Sequence, residues 1–535
     1  SLLRVLQVPR ALCGLVIVPA LWFYTAATGW QSSAIRSTLM MSIIICGWAL
    51  NRPSDLLNSL SAAGLILLIW EPRQLFQAGF QLSFFVVLSI ALFLPPLERV
   101  RQRLLQTDPF LPPELRPRWQ RWLDTPLHYL TTSVATSLAA WLGSLPLIAY
   151  YFYLVTPVSL LANVLIVPLS GLALMASLGS LLCGDWLPWL TVLFNHSAWF
   201  WMKIMIGLSD WTAGLPGAYF YVCPPSLLEF MLYYLALAGV LSGWLFAPTR
   251  RKWAALALGL LLGGWMFHWW WVRQDARLTV LPLGGGPIFA DLPGRSNDLL
   301  IDCGNRSAAE FVVKPFLRSQ GLKHLPRALL THGDLHHVGG LDYLREHFSI
   351  AQILTSSGRF RSPAYRQIIQ ELSNSPELWR RINRGDSAHG WRVLHPAVED
   401  HFTQADDHTI VLLGEFQGSR VLLLSDLGRL GQRKLLERGD DLRADIVVAG
   451  MPTQGDPLSD PLIEAIQPSV IVLATADYPA SARASPKLRG RLSKSGVPVF
   501  YTGDAGAVTL TLRPRRWELT GMNDTRLTGE PRSAR

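Results

Sequence analysis

The sequence predicts a polytopic α-helical membrane domain followed by a soluble α/β domain. Three observations carry this. Half of the 535 residues are hydrophobic and only 16% are charged, against about a quarter charged in soluble globular chains, which excludes a wholly soluble protein. The apolar residues cluster in long runs in the first half of the chain. From Leu278 the texture changes to short apolar stretches bounded by Gly and Asn, such as LTVLPLG, NDLLIDCGN, RALLTH, RVLLLSD, ADIVVAG, SVIVLAT and VPVFYTG. These read as strands, and with a helix over Ala308–Gln320 they predict a layered α/β domain. The boundaries read from the texture are 1–272 for the membrane domain and 273–520 for the soluble one. The polar tail 521–535 is read as disordered.

A bilayer core of about 30 Å takes about 20 apolar residues per helix. Runs at 10–28, 37–51, 56–71, 79–96, 130–152, 157–182, 187–208, 227–247 and 253–272 meet or approach this, giving about nine spans. The second and third are short, as suits tilted, re-entrant or buried segments. Many of the 21 Trp residues lie near the ends of runs, where indoles sit at headgroup depth. Two basic loops set the orientation. One is 97–129, with Arg99, Arg101, Arg103, Arg116, Arg118 and Arg121; the other is Thr249–Lys252. Both fall on the cytoplasmic side if four spans separate them, and the chain after about Val272 then lies outside. Leu97–Gln106 within the first loop reads either as an interfacial amphipathic helix or as a solvated linker.

Net charge of +10 suits nucleic acid and equally suits Arg-rich cytoplasmic loops. The five cysteines show no paired spacing, so they suggest neither a disulfide framework nor a zinc motif. Arg36 falls on the outer side of this topology, Arg52 with Asp55 on the inner side. Arg is suited to grip phosphate bidentately, and the competing reading is an interfacial ion pair. Asn163 and Pro168 interrupt the sixth run, either lining a pore or packing against another helix.

Several blocks resemble the ComEC family of DNA-uptake proteins. They are Thr28–Met41, Asn51–Leu75 leading into GFQLSFFVV (Gly79–Val87), and Leu145–Leu169. The resemblance covers nearly all of the membrane half. It implies a channel in the bacterial inner membrane that passes one DNA strand inward, with Arg36, Arg52 and Asn163 as candidates along the path. The implied partners are single-stranded DNA, membrane lipid, a DNA receptor and a cytoplasmic ATPase, with a homo-oligomer as the candidate assembly. It also implies that Ser1 starts partway into the family pattern, so that a membrane segment and a small β-barrel-like domain would precede it.

In the second half, THGDLHHVGG (Thr331–Gly340) follows a strand and concentrates imidazole and carboxylate, the donors of metal sites. It is similar to the metallo-β-lactamase loop, HxDxDHxGG in the ComEC family, which implies an αββα fold. His332, Asp334, His337, Gly339 and Gly340 match, and His336 stands where an Asp belongs. Asp426 in LLLSDLG matches the metal-bridging Asp of that family. Three departures follow. MPTQ (Met451–Gln454) replaces a paired-His motif, Ser485 replaces the His before Pro486, and LPLGGGP (Leu281–Pro287) replaces the usual first-strand motif. The candidate metal ligands are therefore His332, Asp334, His337 and Asp426, with Asp334 and His336 as the candidate catalytic residues, and the site holds one zinc or manganese ion or none. The expected outcome is a degenerate domain. The alternatives are a membrane-anchored nuclease using His336 as a replacement ligand, and a transporter of another solute. His401 and His408, flanking Asp406 and Asp407, are expected on a surface turn.

Overall fold

The computed structural model describes residues 10–50, 55–104, 118–242, single residues within 252–270, and 274–294, 297–478 and 480–532. The chain divides into two compact units, Ser1–Ala255 and Leu256–Arg535. The predicted ninth run, 253–272, falls largely outside the described residues, as do 105–117 of the first basic loop, Thr249–Arg251 of the second, and Arg52.

The first unit is helical: α1 Arg10–Ala27, α2 Ser32–Ala49, α3 Leu56–Trp70, α4 Ala78–Leu104, α5 Arg118–Phe152, α6 Ser159–Cys183, α7 Pro188–Ala213 and α8 Leu227–Leu241. A two-residue ribbon, β1 (Leu154–Val155) with β2 (Phe220–Tyr221), joins its loops. Eight of the predicted runs therefore fall on helices. Within these, Ala78–Arg101, Pro126–Phe152 and Ser159–Cys183 are long and apolar enough to cross a bilayer unaided, and four more helices are apolar but shorter. This is the character of a membrane protein. Leu97–Leu104 continues α4 without a break.

Sequence explains how the helices meet. In an apolar solvent each backbone carbonyl must be paired within the protein. Pro146 in α5 has no N–H, which frees the Leu142 carbonyl one turn earlier. The Tyr233 hydroxyl of α8 donates to that carbonyl at 2.8 Å, and Tyr234 donates to Gly143 O at 2.7 Å. Pro168 in α6 likewise frees Val164 O, and Tyr129 of α5 donates to it at 3.5 Å. The interruption at Pro168 is thus satisfied by helix packing. Small residues allow the close approaches: a Cβ on Gly143 would stand 1.6 Å from Ser89 Oγ of α4. Thr25 and Thr38 bond across α1 and α2 at 2.6 Å.

The second unit contains two sheets. The first has nine strands: β3 Ala276–Val280, β4 Ile288–Asp291, β5 Leu299–Ile301, β6 His324–Leu329, β7 Ser349–Thr355, β8 Trp379–Arg381, β16 Val508–Arg513, β17 Arg516–Gly521 and β18 Arg526–Gly529. Their order is β18-β17-β16-β3-β4-β5-β6-β7-β8. The second has seven: β9 Ser387–Ala388, β10 Trp391–His395, β11 Val411–Phe416, β12 Ser419–Ser425, β13 Ile446–Ala449, β14 Val470–Leu473 and β15 Val499–Tyr501, in order β15-β14-β13-β12-β11-β10-β9.

Strand side chains alternate between faces. Leu278, Val280, Val421, Leu423, Ile446 and Val448 join a core between the sheets, around Trp391. Leu300, Leu325 and Ala328 face a second core, shared with the helices at Lys314–Ser319, Leu341–His347 and Pro363–Ser373. Leu422, Leu424, Val447 and Ile471 face a third, under helices at Arg429–Glu437, Asp460–Ile466 and Pro486–Lys494. Strands apolar on both faces read as continuous apolar runs, which is why the sequence exposed them. The result is the αββα sandwich that the resemblance implied.

One expectation is corrected. The tail read as disordered includes β18, which pairs with β17 in register Trp517↔Gly529 to Thr520↔Arg526, and Arg532 N donates to Asp445 Oδ1 at 3.0 Å. Its polar residues belong to an edge strand, where one side faces water.

The proline–tyrosine pairing makes a prediction. Tyr233→Phe should lower the stability of the purified chain by about 1 kcal/mol. The same change in a Pro146→Ala background should cost less, because that background restores a backbone N–H to pair with Leu142 O. Thermal unfolding of the four proteins in one detergent checks this, and equal losses in both backgrounds would refute it.

Candidate metal centre

The candidate site lies where the two sheets present the ends of their parallel strands. The chain leaves β5 at Asp302, β6 at Thr331–His332 and β12 at Ser425–Asp426; β5 runs parallel to β6, and β12 parallel to β13. Asp302 and Ser425 both have positive φ, 60° and 46°, turning each strand end sharply inward. The loop and the short helix Leu335–Val338 then bring in His337.

Asp302 organises these groups. It is 1% exposed. Its Oδ1 accepts from Thr331 N at 2.8 Å, and its Oδ2 accepts from Thr331 Oγ1 and from His337 Nδ1, each at 2.8 Å. The opposite ring nitrogen, His337 Nε2, lies 3.0 Å from Asp426 Oδ2. The His332 ring lies against His337, centroids 4.0 Å apart. Donor atoms of His332, His337 and Asp426 all lie within 4.8 Å of one another. Asp426 Oδ1 is buried with no partner among the described residues. A Cβ on Gly450 would stand 1.8 Å from it, so only glycine fits beside this carboxylate. Gly285, at φ +84°, brings the LPLGGGP loop against the site: a Cβ there would meet His336 O at 2.6 Å and His337 Nε2 at 3.3 Å.

The electrostatics follow from burial and these pairs. Burial opposes charge on His337, but carboxylates at both ring nitrogens, Asp302 and Asp426, hold its pKa well above the ordinary value. Burial, then the neighbouring His337, pushes His332 down to about 4. Burial would raise Asp426, yet the charge and hydrogen bond of His337 hold it below the usual carboxylate range. The centre is an imidazolium between two carboxylates.

The donor set fits one divalent ion. His337, on giving up its Nε2 proton to an incoming ion, would present that nitrogen while a carboxylate holds its Nδ1, the arrangement that orients histidine ligands. The unpartnered Asp426 Oδ1 supplies a hard oxygen.

The sequence-predicted residues divide accordingly. His332, His337 and Asp426 come together. Asp334 caps the helix Leu335–Val338, accepting from His336 N at 2.8 Å. His336 is exposed and stands apart from the three-residue cluster. The replaced positions have other work. Thr453 N donates to Asp406 Oδ2 at 2.7 Å, Gln454 accepts from Gln404 at 2.7 Å, and Ser485 caps the helix Pro486–Lys494 through Leu488 N at 3.1 Å.

Sequence reasoning misplaced one segment. Asp406–His408 was expected on a surface turn, but all three residues are buried. Asp406 Oδ1 is 3.8 Å from His332 Nε2, and burial raises its pKa. Asp407 accepts from Leu430 N and Gly431 N at 2.9 and 3.0 Å. The turn is a strut between loops; the signal was the density of acids directly before the apolar strand β11.

Comparison with known proteins agrees with this geometry. Residues 1–247 match the family model of competence proteins, and residues 294–447 match that of the metallo-beta-lactamase superfamily. Two relatives match across both halves. ComE operon protein 3 of Bacillus subtilis (strain 168) is 22% identical over 541 residues, covering 95% of this chain and 65% of that protein. Competence protein ComA of Neisseria gonorrhoeae is 22% identical over 497 residues, covering 92% and 63%. The chain thus spans just under two-thirds of the length of either relative.

Asp302→Asn should destabilise the protein by about 3–5 kcal/mol, since it leaves the buried His337 charge short of a partner. Urea denaturation checks it, and a loss under about 1 kcal/mol would contradict the role given to Asp302. A competence-protein domain joined to a metallo-β-lactamase-superfamily domain, in a chain similar over most of its length to two competence proteins, is the arrangement that the ComEC resemblance implied.

Proposed function

We propose that this protein is a channel for uptake of single-stranded DNA, whose metallo-β-lactamase-fold domain has lost two-metal nuclease chemistry. The competence-protein match supports the role in DNA uptake. Placement in the bacterial inner membrane with the second unit outside, and work with the receptor and ATPase of an uptake machinery, are parts of the same proposal.

The observation that carries the reading is Arg36. It lies on α2, is 4% exposed, and its Nε has no partner among the described residues. Its guanidinium lies over Gly79, where a Cβ would stand 3.1 Å from Nη2. A buried cation among apolar helices is costly without an anion. A passing phosphodiester offers that anion in a form that suits the guanidinium fork. Asn163 is half-buried on α6 and is the second candidate along the path.

The second unit supports less chemistry. His332, His337 and Asp426 would hold one zinc or manganese ion, which when bound would polarise a water or phosphate oxygen. A two-ion hydrolase needs a second ligand set, and Met451–Gln454 and Ser485 do not provide one.

Transformation frequency tests both parts. Arg36→Ala should abolish uptake of DNA while leaving the protein in the membrane, and Arg36→Lys should restore part of it. His332→Gln, which removes a candidate ligand without unpairing the His337 charge, should leave uptake unchanged. If His332→Gln abolishes uptake and the purified chain cleaves single-stranded DNA with zinc or manganese, the nuclease reading replaces this one. Normal uptake in Arg36→Ala would overturn the role of Arg36.

A further inference from the structure

The second unit contains a cavity of about 550 Å³, bounded by the segments around Ser357–Arg359, Pro396–Phe402 and His408. It belongs to neither the metal cluster nor the membrane half. His408 is 6% exposed. Its Nε2 accepts from Phe402 N at 2.9 Å. Phe402 O also lies 3.3 Å from Nε2, but the shorter contact comes from a backbone N–H, which can only donate, so Nε2 carries no proton and the ring is neutral with its hydrogen on Nδ1. That Nδ1–H has no acceptor among the described residues, though it is buried. A buried donor without an acceptor costs about 1–3 kcal/mol, so the position calls for an acceptor that the protein does not itself supply. Gly358 leaves room for one: a Cβ there would stand 3.4 Å from Nδ1.

The surrounding charges define what kind of acceptor fits. Arg359 and His401 line the cavity and are exposed. The carboxylate that also lines it, Asp400, is already matched: it is ion-paired to Arg438 and accepts from Ala397 N at 2.7 Å. With Asp400 matched, the lining charge left to meet a ligand is the Arg359 guanidinium. One wall is apolar, formed by Ala397, Val398 and the half-buried Phe402 ring. At this volume the cavity falls within the usual range of small-molecule sites and is far larger than a bare phosphate needs.

We propose that this cavity binds a phosphate ester of nucleotide size, with the His408 Nδ1–H and the Arg359 guanidinium meeting the phosphoryl oxygens and the Phe402 wall taking the organic part. The ligand is either a free nucleotide or the phosphorylated end of a DNA strand.

The test is equilibrium dialysis of the full chain in detergent against radiolabelled deoxyadenosine 5′-monophosphate. One saturable site per chain is expected, competed by inorganic phosphate at higher concentration. Arg359→Ala, at an exposed position that leaves the core intact, should weaken binding by about tenfold or more. Gly358→Val, which places methyl groups in front of His408 Nδ1, should do the same. Competition by a 5′-phosphorylated oligonucleotide identifies a strand end as the source; its failure to compete, with the monophosphate still bound, identifies a free nucleotide. Absence of saturable binding of the monophosphate, or binding indifferent to both Arg359→Ala and Gly358→Val, overturns the proposal.

Discussion

Three loops meet on the carboxylate of Asp302, which takes its hydrogen bonds from the strand end after β6 and from the histidine of the next helical turn. Because its partners hold both oxygens, the His337 ring is fixed in plane and position. Because that ring is fixed, Asp426 from the opposite sheet has one place to go. Ile410 N bonds to Thr331 O at 3.0 Å close by, so the start of β11 is tied into the same junction. A buried carboxylate would be expensive alone; surrounded by donors, it anchors the seam between two sheets.

The same accounting governs the membrane half with different partners. There the freed carbonyls of Leu142 and Val164 are met by tyrosine hydroxyls from neighbouring helices. Proline leaves a free carbonyl one turn back, and a helix carrying tyrosine at the matching height docks onto it. The buried side-chain atoms without a partner among the described residues include Arg36 Nε, Asp426 Oδ1 and His408 Nδ1. Each lies beside a glycine whose missing Cβ keeps the approach open.

Much of this was legible in the sequence. Long apolar runs gave eight helices, and the strands apolar on both faces, such as Leu299–Ile301 and Ile446–Ala449, stood out as runs. The clustered ligands His332, His337 and Asp426 were readable because imidazole and carboxylate are rare at such density. Other features were not. Arg526–Gly529 looks like any polar tail, since an edge strand gains its order from the hydrogen bonds of β17 and not from its own side chains. Asp406–His408 reads as a turn because its burial depends on loops more than twenty residues away in sequence, at Leu430, Gly431 and Thr453. Asp302 looked like the end of a strand; its role as a hub exists only once Thr331 and His337 fold around it.

The replaced ligand positions show what the fold itself requires. Where histidines would stand, Thr453 offers a backbone N–H to Asp406 and Ser485 caps a helix. The backbone bonds that place these loops do not depend on the side chains that changed. Among the residues kept, Asp302, His337 and Asp426 are the ones whose loss would leave a buried charge unpaired at the seam. Ligands needed only for an ion can be lost at little cost in stability, whereas ligands that also join the sheets cannot. On the proposed reading, this constraint accounts for a motif that keeps His332, His337 and Asp426 while His336, Met451–Gln454 and Ser485 stand at other ligand positions.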